Sequence, residues 1–196
     1  MEKISIDAHN GFCPQAMFLY GTNKKDGSAN FGTFTWFSYC WDGDMGVMAS
    51  IGGGKMTIDR IKKTGIFSAN LVTEPLVPLA DYLGHNPGRS SNKMEAPIAI
   101  ERGTVLDVPV LKDSPWTYEL EVRKTIPLRG NTVFLCKIRN TLAAKALMDE
   151  SVPLEERVKL AAPVVWLAAG NGPYFPVKPE AIGAVGDWAS IPPGLA

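Results

Sequence analysis

Glycine and proline punctuate this chain so often that few folds remain open to it. The 19 glycines and 15 prolines among 196 residues make up about one residue in six, against roughly 12% in ordinary proteins. Proline stops helices and glycine loosens them, so the chain must break into short segments joined by turns. Short strands, rather than long helices, become the main building material. A hydrophobic fraction of 45% supports a packed core and sets intrinsic disorder aside. A chain of this length can bury that core without disulfides or metal. It reads as one domain over 1–196, with an irregular tail from about residue 165.

The apolar pattern supplies the strands. Gln15–Thr22 is a short apolar run, and Asp26-Gly27 after it is a turn signal. Asn30–Tyr39 is dense in Phe, Thr, Trp and Tyr, so 15–39 reads as a hairpin. Met45–Ile51 is a third strand. Thr57 can cap a short helix that ends on Lys62, Lys63 and a left-handed Gly65. Ile66–Val72 is then a strand, Pro75–Leu83 a short helix, and 84–96 a polar loop of the kind where ligand contacts concentrate. From Trp116 to Arg123, apolar and polar residues alternate as in a half-buried antiparallel strand. Asn131–Arg139 is apolar on both faces and more central. Leu154–Leu160 reads as a helix, and the Gly- and Pro-rich tail as an irregular wrap. Six or more strands with two or three small helices predict a mainly β architecture, an antiparallel barrel with α decorations.

Charge and cysteine content narrow the partners. Twenty basic residues balance twenty acidic ones, which disfavours nucleic acid and anionic membrane surfaces. Met1–Asp7 has no signal-peptide core. The longest apolar stretch, Leu160–Ala169, is interrupted by Pro163 and falls short of the ~20 residues of a membrane span. Cys13, Cys40 and Cys136 are widely spaced, which suits a reducing cytoplasm. With two histidines and no cysteine pair, no metal site is expected.

Two segments can carry chemistry. Ser50–Thr57 runs from a strand end through three glycines into a helix start. Bare backbone, free helix N–H groups, the Thr57 hydroxyl and the Lys55 charge together make a phosphate cradle. The segment is not a Walker A loop, because Ala49 and Met56 stand where that pattern needs Gly and Ser or Thr. The same residues would also serve as a plain glycine-rich turn before a capped helix. On the second strand, Asn30, Thr33, Thr35 and Trp36 offer small hydroxyls beside a large aromatic, which suits a planar heteroaromatic ligand. A structural strand with Thr chosen for β-propensity is the alternative. Arg89–Lys93 adds donors and positive charge in the polar loop. No nucleophile elbow or paired carboxylate is visible.

The order of these pieces resembles the flavin reductase-like, FMN-binding split-barrel family, the flavoredoxin branch in particular. It is carried by Asp26-Gly27, Asn30, Thr35-Trp36, and above all by Lys55–Asn70, with its Thr57…Ile61…Thr64-Gly65-Ile66-Phe67-Ser68-Ala69-Asn70 spacing. Ser91-Asn92-Lys93-Met94 matches a later loop of the family in altered form. The resemblance implies a six-stranded antiparallel split β-barrel that forms a homodimer, with FMN near the subunit interface. It places the phosphate on Lys55 and Thr57, the backbone of Ser50, Ile51 and Gly52 near the flavin, and Asn30, Thr33, Thr35 and Trp36 along the ring and ribityl chain. Ser91 and Lys93 approach from the loop. It further implies hydride transfer from NADH or NADPH to FMN and electrons passed to a small-molecule or protein acceptor. A carrier without its own nicotinamide site is the other reading. The catalytic chemistry is the cofactor's, and no protein acid or base is nominated.

Overall fold

The computed structural model describes residues 2–89, 92–169 and 171–185. In chain order its elements are β1 (Gln15–Ala16), β2 (Phe18–Asn23), β3 (Ala29–Phe34), β4 (Phe37–Trp41), β5 (Met45–Gly52), α1 (Met56–Thr64) and β6 (Ile66–Leu71). They continue with α2 (Val77–His85), β7 (Ile100–Arg102), β8 (Pro109–Leu111), β9 (Trp116–Leu128), β10 (Asn131–Ala143), α3 (Leu154–Ala161), β11 (Val164–Trp166) and β12 (Tyr174–Pro176). Seven strands form one antiparallel sheet in the order β3-β2-β6-β9-β10-β5-β4.

This order requires the sheet to curl. β3 and β4 lie at opposite ends, yet only Thr35 and Trp36 separate them in the chain. A flat sheet of this width would hold its end strands about 29 Å apart, while the linker reaches about 10 Å. The sheet therefore wraps into a barrel, and its unpaired ends form the split. Counting β3 and β4 as one bent strand gives the six strands expected. The bend itself was not foreseen. The Phe37 N–H donates to Thr35 O at 3.0 Å, closing a three-residue turn that interrupts the run read as continuous over 30–39.

Two apolar clusters hold the barrel. Phe18, Tyr20, Phe34, Val47, Ile51, Phe67, Leu120 and Phe134 fill its interior, where Ile58 and Ile61 of α1 also pack. The i, i+3 spacing of those two isoleucines puts both on one face of the helix. Met17, Leu19 and Phe31 point the other way, against Leu76, Ala80 and Leu83 of the α2 region. β2 is thus buried on both faces, which explains its unbroken apolar run. Each fully buried side chain of this size contributes about 1.5–3 kcal/mol.

Three further expectations are corrected. Thr57 does not cap α1: Lys55 occupies the N-cap position with extended backbone, and no side-chain cap bond forms. Thr57 lies inside the first turn and is buried. Gly65, as expected, closes the helix in the left-handed conformation, with φ 73°. β9 is longer than Trp116–Arg123 and is not half-buried at its start, because Thr117 and Glu119 are as buried as their apolar neighbours. The loop 103–106 covers that second face. Its Thr104, Val105 and Leu106 N–H groups all donate to the Glu119 carboxylate, at 2.9, 3.0 and 2.5 Å. The tail is not wholly irregular: β11 and β12 join β1 in a three-stranded sheet, and Tyr174 Oη donates to Asp81 Oδ1 on α2 at 2.5 Å. β7 and β8 also pair, in a stretch for which the sequence reading names no element. No helix among the described residues is long and apolar enough to cross a membrane.

Candidate functional site

The strand-to-helix junction at β5–α1 opens onto a cavity of about 210 Å³. Gly53, Gly54 and the first residues of α1 form one wall, Asn30, Gly32 and Thr33 of β3 the floor, and the 83–89 segment with Lys93 the far side. Glycine is needed at Gly53, whose φ is +73°. A Cβ on Gly53 or Gly54 would meet nothing within 4 Å, so the bare backbone leaves room rather than avoiding a clash. Gly53 is also fixed from behind. Its N–H donates to the carbonyl of Gly130, in the β9–β10 turn, at 3.0 Å. The N-cap residue Lys55 makes no side-chain cap bond, and while the Ile58 and Asp59 N–H groups donate to Lys55 O, those of Met56 and Thr57 remain available to the cavity.

The polar groups here lack the partners that a finished protein interior would give them. Asn30 is 1% exposed. Its Nδ2 donates to Thr22 Oγ1 and Thr57 Oγ1, each at 3.3 Å, but its Oδ1 has no partner. Lys93 is 4% exposed, and its Nζ donates to Leu83 O at 3.1 Å. No carboxylate among the described residues pairs with it. Burial pushes its pKa down to about 8, with Lys55 and then Lys24 adding to the effect. A buried amine beside other cations, an uncapped helix start and an unpartnered amide oxygen give the cavity a set of donors and acceptors that suits an anion bearing hydroxyl groups.

Five of the predicted residues, Asn30, Thr33, Lys55, Thr57 and Lys93, meet at this cavity. Thr33 turns its hydroxyl to the carbonyl of Ala80 in α2, so its Oγ1 is already engaged. Trp36 and Ser50 line a separate shallow pocket of about 200 Å³ with Phe37 and Met48, held together by the Ser50 N–H donating to Trp36 O at 3.0 Å. Trp36 is 47% exposed. Thr35 sits half-buried in the β3–β4 turn and lines neither pocket. Ile51 is fully buried in the core and Gly52 pairs with Asn131 of β10; neither is among the residues that line the cavity. Ser91 lies outside the described residues.

Residues 86–88 were not singled out from sequence, although Asn-Pro-Gly after a helix is a turn signature. Asn86, Pro87 and Gly88 all line the cavity. A Cβ on Gly88 would come within 2.4 Å of Asn30 Oδ1, so this glycine allows the loop to close over the amide.

Residues 10–172 match the profile of the flavin reductase like domain. Flavoredoxin from Methanosarcina acetivorans shares the fold with a TM-score of 0.84 and 22% identity, over 96% of this chain and 98% of that one. Flavoredoxin of Desulfovibrio vulgaris (Miyazaki F) gives a TM-score of 0.85 at 21% identity, over 96% and 100%. An FMN-binding protein from Thermus thermophilus, with bound p-hydroxybenzaldehyde, gives 0.75 at 20% identity, over 94% and 98%. At these identities the likeness is one of fold. No protein of curated description matches the sequence.

Proposed function

Since this chain belongs to the flavin reductase-like family, and its barrel carries an anion receptor at the β5–α1 junction, we propose that it binds FMN there and works as an FMN-dependent oxidoreductase. The observation that supports this most is the unpartnered Asn30 Oδ1 beside buried Lys93, since both find partners in a ligand bearing phosphate and hydroxyl groups. When bound, FMN would supply the two-electron redox chemistry that links a nicotinamide donor, NADH or NADPH, to an acceptor. The chain's own residues bind and orient. Lys55, Thr57 and the N–H groups of α1 hold the phosphate, and Lys93 balances its charge. Asn30 offers its amide to the ribityl hydroxyls. Trp36 and Ser50, at the neighbouring pocket, flank the ring end.

The same reading includes a homodimer. On the face of β5 and β10 turned away from the core, Met48 lies opposite Leu135 and Ser50 opposite Val133, with Ile126 beyond Val133 on β9. Together with half-exposed Trp36 these form an apolar surface beside the ring end, and a second copy would both cover it and enclose the flavin. Three free cysteines support a cytoplasmic setting.

Purified protein is expected to acquire a flavin absorbance spectrum on mixing with FMN, and Lys55→Ala/Thr57→Ala to weaken that binding by about tenfold or more. Protein that leaves the FMN spectrum and fluorescence unchanged would sink the proposal. Anaerobic addition of NADH or NADPH to the loaded protein then tests the hydride step. Prompt bleaching supports a reductase, and bleaching only with a protein donor makes it a carrier.

A further inference from the structure

Lys93 has more chemistry open to it than a counter-charge needs. Its side chain is interior, yet among the described residues its Nζ makes one hydrogen bond, to Leu83 O at 3.1 Å, and no ion pair. With a pKa of about 8, roughly a tenth of this amine is neutral at pH 7. An ordinary lysine is neutral in fewer than about one molecule in a thousand. A buried lysine beside other cations is a nucleophile for that reason. Donating one N–H to Leu83 O leaves the lone pair of the neutral amine unspent.

The surroundings favour one kind of reaction partner. A Cβ on Gly88 would lie 2.4 Å from Asn30 Oδ1 and 3.6 Å from Lys93 Cε, so the unpartnered amide oxygen and the lysine arm meet at this glycine. Lys55 and Thr57 line the same cavity of about 210 Å³. That volume falls below the ~300–1,000 Å³ of sites that enclose drug-sized ligands. What the cavity can close around whole is a phosphate on a short carbon skeleton or one small ring. We propose that Lys93 is an imine-forming lysine, and that the cavity captures a small phosphorylated aldehyde, its phosphate at Lys55 and Thr57 and its carbonyl carbon at Nζ. The amine adds to the carbonyl carbon, and the C=O opens to a hydroxyl that leaves as water when the C=N bond forms. Ammonium and aldehyde thus give a protonated imine and water, with no oxidant, reductant or net proton. Asn30 Oδ1 accepts from the hydroxyl and then from the imine N–H. The inference shares the phosphate cradle with the flavin reading and does not need the flavin, so captured aldehyde and FMN exclude each other.

Pyridoxal 5′-phosphate, whose imines absorb visible light, is the probe. It is mixed at pH 7 with FMN-free protein, and the product is reduced with borohydride and mapped by peptide mass. A visible band and a reduced adduct on Lys93 are expected, with pyridoxal, which lacks the phosphate, reacting about tenfold or more weakly. Lys93→Met should lose the band, Lys55→Ala/Thr57→Ala should weaken it, and loading with FMN should block it. No band, an adduct on other lysines only, equal reaction with pyridoxal, or an adduct that FMN-loaded protein forms as readily overturns the inference. FMN binding, measured on its own, is untouched by those results. A Lys93 adduct in protein that takes up no FMN removes the flavin reading and leaves this one standing.

Discussion

Lys93 is the residue on which the anion receptor can be tested most directly. Its folded-state pKa, about 8, lies below the ordinary lysine value, so charging it costs the empty fold. That cost is complete below about pH 8 and is relieved as pH rises toward the unfolded value. An anion beside the amine works in the opposite direction by favouring the charged form. FMN affinity is therefore expected to fall several-fold between about pH 7 and pH 9.5. Lys93→Met should bind more weakly at pH 7 and show a flatter profile. An affinity in the wild type that is level across this range would remove Lys93 from the phosphate. Its polar loop marks the residue in sequence, but its burial is invisible there. A lysine flanked by Asn92 and Met94 reads as surface, and only the packing of residues 83–88 over it makes it interior.

Among the elements, those with a local physical cause were legible and those that depend on distant partners were not. α1 could be read from its closing Gly65 and basic last turn, and β10 from its apolar run. β7, β8, β11 and β12 have three residues each, too few for a period to show, and each exists through its partner strand. The turn at Thr35–Phe37 is likewise imposed by barrel closure on residues whose own preference is extended. β9 differs from its sequence reading for a related reason: Glu119 has the spacing of a solvent-facing carboxylate and instead organises the loop 103–106. Burial alone would raise its pKa, but hydrogen bonds from Asn140, Leu106, Thr104 and Val105 outweigh it and hold the carboxyl below the usual range. A depressed folded-state pKa gives stability that is present above the unfolded value and is lost as pH falls through the folded one. Glu119→Gln should cost about 1–3 kcal/mol, seen as a lower thermal midpoint at neutral pH. It should also flatten the acid limb of the stability curve. A melt unchanged from wild type would show that the loop is held by other contacts.

At the scale of the whole molecule, the barrel has its hydrophobic interior on one side of β5 and β10 and an apolar strip on the other. If that strip is where two copies meet, Met48→Glu/Leu135→Glu should convert a dimer to a monomer by light scattering. FMN binding should weaken with it, because the ring end loses a wall. A wild-type protein that runs as a monomer at micromolar concentration would end the dimer proposal while leaving the phosphate receptor intact. β10 is β5's neighbour in the sheet, and just past the Asn131–Gly52 pair their ladder sets Gly130 of the β9–β10 turn against Gly53, a contact that bears on affinity. Consecutive glycines are the most expensive backbone to immobilise, at roughly 1–2 kcal/mol for each residue fixed. Here the immobilisation is completed during folding, by a hairpin whose stability comes from elsewhere in the sheet. A ligand bound at the proposed site would meet a loop already in position and keep more of its contact energy as binding, which is preorganisation by a turn some 77 residues away in sequence.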